Sequence, residues 1–208
     1  MAGGTSPPHG ATRFIETTRG VLSYAELAPL LAEQVLVVER SIAEGAFAAE
    51  LLSPELVCQF HLRLCGHLVP DWAGRWRTVE VRVGDHTPPP PFRVASLMLD
   101  YAADLNARLA GFAGPAELDL LTEHLAFAEG RLLSIHPFPD FNGRVTRLWL
   151  RELVTRLDLP DVGLVPVTAA ETDTYLAALR AADAAQWEPL RQVWLRRLET
   201  AFNDPAAE

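Results

Sequence analysis

The sequence predicts an all-α protein carrying one small β-hairpin flap. Three observations lead there. Apolar residues recur at helical spacing along most of the 208 residues. Two capping boxes, Ser23 with Glu26 and Thr168 with Glu171, mark helix starts. One stretch, residues 76–83 (WRTVEVRV), alternates large apolar and polar side chains with the strand period for most of its length.

The elements follow in chain order. Residues 1–19 are rich in Gly, Pro, Ser and Thr and are expected to form an arm ahead of one domain over residues 20–204. Ser23 starts a short helix that Pro29 should break or re-aim, with a long helix from Ala32 to about Glu50 behind it. Ser53-Pro54-Glu55 opens the next, serine as cap and proline in the first turn, running to about Leu68. The strand over 76–83 leads into a Gly84-Asp85 turn and a polyproline run over 88–91. Helices are then expected over residues 94–109, 115–134, 142–157, 168–184 and 187–202.

Composition excludes several function classes. The net charge is −9, which argues against direct nucleic-acid binding or attraction to anionic lipid. All 18 basic residues are arginine. Without lysine there can be no Walker A phosphate loop and no lysine Schiff-base mechanism. No apolar run reaches the roughly 18 residues that span a bilayer, and residues 1–20 hold no apolar run, so no secretory leader is expected. Cys58 and Cys65 lie two helical turns apart, too far to bridge, and read as reduced thiols. The expected location is the cytoplasm.

Chemistry concentrates in residues 135–147 (IHPFPDFNGRVTR), between two predicted helices. Arg144 and Arg147 are three apart, on one face of a helix at its first turns. That helix end offers backbone N–H groups and the positive end of its dipole, and Gly143 permits close approach of a ligand. Together these suit a polyphosphate. Asp140 is a hard oxygen donor suited to Mg²⁺ shared with phosphate oxygens. His136 is the residue there able to accept a proton near neutral pH. Residue chemistry thus points to a nucleotide polyphosphate, a divalent metal and a histidine base.

This run resembles the signature of Fic-domain proteins, H-x-F-x-(D/E)-G-N-(G/K)-R-x-x-R, through His136, Phe138, Asp140, Asn142, Gly143, Arg144 and Arg147. Residues 71–78 (DWAGRWRT) resemble the segment entering that family's flap, and the likeness covers roughly residues 53–156. The resemblance implies a Fic-type helical bundle, with the motif in a loop between two central helices. It implies a protein adenylyltransferase that moves AMP from ATP to a Ser, Thr or Tyr hydroxyl of a target protein. His136 would be the base and Asp140 would hold Mg²⁺. Asn142, Gly143 and Arg144 would form the anion hole, Arg147 would meet the γ-phosphate, and Phe138 would anchor the loop. Arg77, Thr78, Val79, Glu80 and Val81 would lie on a flap strand that docks the target. The family has Gly where this chain has Phe141, a residue that resists φ > 0. That position separates AMP transfer from phosphoryl transfer by the same site, and both from a catalytically silent Fic fold serving as a binding or regulatory protein.

Many Fic proteins carry an inhibitory helix with (S/T)-x-x-x-E-(G/N). Glu44-Gly45 has its ending, with Arg40 in the Ser/Thr position, so the resemblance makes Glu44 a candidate inhibitory partner of Arg147 and admits an antitoxin-like or self-inhibitory partner. Cys58, His61, Cys65 and His67 are weighed as zinc ligands against a helix packing two cysteines as small hydrophobes, and the latter is favoured. His124 and Glu129 read as structural, and His9 and His86 show no partner in sequence. The five tryptophans read as core or flap residues.

Overall fold

The computed structural model describes residues 14–112 and 117–203. Among them, a two-stranded antiparallel hairpin, β1 (Phe14–Thr17) and β2 (Gly20–Ser23), precedes seven α-helices. These are α1 (Tyr24–Ala43), α2 (Pro54–Cys65), α3 (Val94–Ala110), α4 (Leu118–Ile135), α5 (Asn142–Arg156), α6 (Ala169–Asp183) and α7 (Glu188–Phe202). Both predicted capping boxes form: Ser23 and Thr168 each accept from the N3 backbone while Glu26 and Glu171 reach back. Ser53 caps α2 with Pro54 in its first turn.

Helices α4 and α5 make the centre. α4 packs against α3, α5, α6 and α7, and α5 also packs against α1 and α2. Leu125, Ala126, Ala128, Leu148, Trp149 and Leu153 are fully buried there. Each large apolar side chain so buried contributes roughly 1.5–3 kcal/mol. Two large polar side chains inside are paired: Trp149 Nε1 donates to the Tyr101 hydroxyl at 2.7 Å, which donates to Ala128 O at 2.9 Å. The residues joining α4 to α5 are therefore held between the two best-packed helices.

Several sequence expectations are corrected. α1 runs through Pro29 without a break. Leu27 and Leu31, on either side of it, are fully buried, and their burial offsets the roughly 3 kcal/mol cost of an interior proline. α1 also stops at Ala43 rather than continuing to Glu50, because Gly45 turns the chain at φ +74°. Arg156, at the far end of α5, then fixes that turn by donating to Phe47 O and Glu50 O, each at 2.7 Å.

The hairpin lies elsewhere than predicted. It is formed by Phe14–Thr17 and Gly20–Ser23, so residues 14–19 belong to it rather than to an arm; residues 1–13 lie outside the described part. Residues 76–82 form no ladder, and the segment's one bridge pairs Val83 with His86. Two features defeat the strand. The prolines over 88–91 lack the N–H groups a partner strand would donate, and the alternation fails at its start. Trp76 packs on Phe138 while its neighbour Arg77 is also turned inward, 2% exposed.

Candidate active site

The motif begins where α4 ends. His136 occupies the C-cap in the left-handed region (φ 51°, ψ 61°), its N–H donating to Leu132 O. Its Nδ1 faces Leu133 O at 3.3 Å; donating there, it leaves Nε2 as the acceptor. Burial holds the imidazole well below its ordinary value of 6.5, to about 4, and the positive charge of Arg77 adds to the shift against the Leu133 hydrogen bond and the Asp140 carboxylate. The ring is therefore neutral at pH 7, the form that can take up a proton.

Arg77 pins the reverse side of this turn. Its Nε donates to His136 O at 2.7 Å, Nη2 to Ile135 O at 3.3 Å and to Pro89 O, and Nη1 to Val79 O at 3.2 Å. Its backbone N–H donates to Pro137 O at 2.9 Å. The expected docking role for Arg77 is thus replaced by an internal clamp joining the flap segment to the motif loop. Thr78, Val79 and Glu80 are exposed beyond it, and Val81 is half-buried.

The loop itself is stapled by side chains. Phe138 is fully buried, stacked on His61 at 3.8 Å and near Trp76 at 5.1 Å. Asn142 closes a ring with the Phe138 backbone, accepting from its N–H and donating to its carbonyl, both at 2.9 Å. Its side chain is thereby committed to loop shape, and its backbone N–H remains for an anion. Asp140 Oδ1 accepts from Phe141 N–H at 2.7 Å.

Phe141 adopts the left-handed conformation that glycine favours (φ 61°, ψ 12°). Its ring is 4% exposed and lies 5.6 Å from the Trp72 ring, stacked, and 6.4 Å from Tyr24. The aromatic group is stored between α1 and the turn after α2. The nest conformation is kept, and helix α5 starts immediately after it.

At that start the N–H groups of Asn142 and Gly143 have no backbone partner among the described residues, while Arg144 N–H donates to Phe141 O at 3.0 Å. Gly143 is exposed, Arg144 is half-exposed, and Arg147 stands one turn further on. Among the described residues neither guanidinium has a hydrogen-bond or ion-pair partner. Arg147 is nevertheless largely desolvated, and burial is the first cause lowering its pKa. A poorly hydrated cation with no direct ion pair is suited to receive an anion.

Behind Arg147 lies a network that the sequence reading had not assembled. Buried Glu129 pairs with Arg197 at 2.9 Å and accepts from the Tyr175 hydroxyl at 2.7 Å. Three distant elements, α4, α6 and α7, supply it, and no local spacing announces it. Glu129, Tyr175 and Glu39 are the negative or potentially negative groups whose field reaches Arg147. Glu44 is not brought there. It is the exposed C-cap of α1. α1 lies along α5 with Tyr24 at the Phe141 end, while the turn just after Glu44 is tied to Arg156 at the opposite end.

His86 approaches the site from the flap segment, its Nε2 3.0 Å from Ser134 O and its Nδ1 3.4 Å from Asp183. The zinc alternative is not supported. Both ring nitrogens of His61 face protein groups, His67 is exposed, and burial raises both thiols to about 12.

Comparison with known proteins identifies the fold and the family. The Fic/DOC family model matches residues 51–154, half of the chain. Proteins named protein adenylyltransferase Fic are similar to it: that of Aedes aegypti is 35% identical over 106 residues, and that of Culex quinquefasciatus 36% over 104. The matched part is about half of this chain but only 20% of either relative. Among solved structures, the Fic domain of Bep8 from Bartonella sp. 1-1C gives a TM-score of 0.72 at 13% identity, covering 96% of this chain and 95% of its own. BepC from Bartonella tribocorum, solved with bound AMPPNP, gives 0.69 at 16%, covering 91% and 94%. Fic-1 from C. elegans gives 0.65 at 24%, covering 80% and 47%. Shared in fold nearly end to end and matched by the family model over half its length, the chain belongs to the Fic/DOC family.

Proposed function

We propose that the chain transfers AMP from ATP to a Ser, Thr or Tyr hydroxyl of a target protein. The observation that carries this reading is the pairing of a neutral imidazole at the end of α4 with two unpartnered guanidiniums at the start of α5, across one stapled loop. Adenylyltransferase relatives and a structural neighbour holding an ATP analogue support it at family level.

The triphosphate lies against the first N–H groups of α5, with Arg144 and Arg147 neutralising its charge. The target hydroxyl attacks the α-phosphorus while His136 Nε2 takes its proton. The new O–P bond forms as the bond to pyrophosphate breaks, and pyrophosphate leaves with the electron pair. Positioning and charge neutralisation supply most of the rate in such transfers. The donor set fits Mg²⁺, which takes one or two carboxylates beside phosphate oxygens and water; Asp140 is that carboxylate. Bound there, Mg²⁺ would neutralise charge on the phosphates.

Phe141 does not argue for a silent site, because its backbone keeps the nest conformation and its ring packs on Trp72. The test is ATP labelled at the α- or γ-phosphate, incubated with wild type or His136→Ala in a bacterial lysate. AMP transfer requires α-label on protein that His136→Ala loses by at least 100-fold. γ-Label alone means phosphoryl transfer, and neither label means a binding protein. The chain's own location enters only through its helices: none of those described is long and apolar enough to cross a membrane.

A further inference from the structure

We infer that His61 is a positioning residue that sets Asp140, through a hydrogen bond from its ring to the Asp140 carbonyl. The inference rests on the Mg²⁺–ATP reading above for its consequence, and on geometry alone for its existence. His61 is fully buried on α2, distant in sequence from the motif. Gly74 N–H donates to its Nδ1 at 2.8 Å. That bond occupies the Nδ1 lone pair, so the ring hydrogen sits on Nε2, which faces Asp140 O at 3.3 Å. The same ring stacks on Phe138 with an interplanar angle of 2°. Trp72, 5.7 Å from His61, carries Phe141. Three points of the loop, at residues 138, 140 and 141, thus rest on one aromatic platform built by α2 and the turn after it.

The turn is built to deliver the Gly74 donor. Gly74 has φ +71°, and a Cβ there would come within 3.0 Å of Leu62 Cβ and 3.1 Å of Cys58 O. Backbone at this position can lie against α2 only as glycine. The ring is therefore locked in one tautomer and one orientation before any ligand arrives. Outer-shell partners of this kind typically alter metal affinity or activity by about 10–100-fold when lost.

Three substitutions separate positioning from packing. His61→Phe keeps an aromatic ring against Phe138 and removes both hydrogen bonds. His61→Asn keeps an acceptor for Gly74. His61→Gln keeps a donor that reaches Asp140. In the ligand-free protein, amide NMR shifts of residues 140–143 should move in the Phe and Asn variants and stay near wild type in Gln. The Mg²⁺ concentration giving half-maximal ATP binding, read by calorimetry, should rise about tenfold or more in Phe and Asn and return to within about threefold of wild type in Gln. Thermal midpoints report the structural cost separately. Unmoved loop amides in His61→Phe overturn the inference, as does an unchanged Mg²⁺ requirement in a variant that is merely less stable. Wild type that binds no ATP overturns the nucleotide reading instead, and the amide shifts still decide whether His61 sets the loop.

Discussion

Replacing Phe141 by glycine separates two things that one residue does here. The ring is 4% exposed and packs on Trp72 and Tyr24. Emptying such a site costs about 3–5 kcal/mol in comparable cores. The backbone, however, sits at φ 61°, where a bulky residue is strained by about 1–2 kcal/mol and glycine is not. The net expectation for Phe141→Gly is a loss of about 2–3 kcal/mol, a melting decrease of about 5–10 °C for a chain of this size. Nucleotide binding should respond differently. Glycine holds the same left-handed conformation, and the ring does not lie in the anion nest. ATP affinity should therefore stay within about threefold of wild type. Differential scanning fluorimetry with and without ATP reads both quantities, because a ligand raises the midpoint in proportion to its affinity. If Phe141→Gly binds ATP while wild type does not, the ring obstructs the cradle and the account of Phe141 is refuted. If the variant is more stable than wild type, backbone strain at residue 141 outweighs the aromatic packing.

Arg77→Met should cost about 3–5 kcal/mol in denaturant unfolding, since it strips the donor from four carbonyls that include His136 O and Ile135 O. Residues 78–87 should then become the first site of limited proteolysis. Acid should destabilise the protein through His61 and His136, both held to about 4 by burial. Each ring binds its proton less readily folded than unfolded, so the unfolded chain takes up the extra protons between pH 6.5 and 4. Stability is full above pH 6.5 and falls toward pH 4 by up to about 3 kcal/mol per ring. Thermal unfolding between pH 7 and 4.5 measures this, and His136→Asn should flatten the slope. Glu44→Gly should leave self-modification with labelled ATP unchanged, because Glu44 is exposed at the far end of α1; a marked increase would show that it does reach Arg147.

What the sequence revealed was local chemistry. Ser23, Ser53 and Thr168 cap helices through neighbours three residues away, so their pattern is readable in any context. The order His136, Asp140, Gly143, Arg144, Arg147 is likewise compressed into one loop and one helix start. Misread features depended on distant partners. The alternation over 76–83 looked like a strand, but Arg77 found carbonyls at residues 135 and 136, which no period-two pattern encodes. Pro29 looked like a break because its cost is local, while the burial of Leu27 and Leu31 that offsets it is tertiary. His61 is weighed as a metal ligand by its spacing to Cys58 and Cys65 and set aside for a packing role, without its partners being visible. Its ring instead faces the Gly74 turn and the motif loop, a contact spanning 79 positions. Tyr175, Glu129 and Arg197 come together only when α4, α6 and α7 pack.

The most direct test is calorimetric titration of Mg²⁺–ATP into the wild-type protein and into Arg147→Ala. Saturable binding at one site, weakened at least tenfold by loss of that guanidinium while the fold is retained, is the predicted result. Equal heats from both proteins, or none from wild type, would contradict the claim that the loop between α4 and α5 grips a triphosphate.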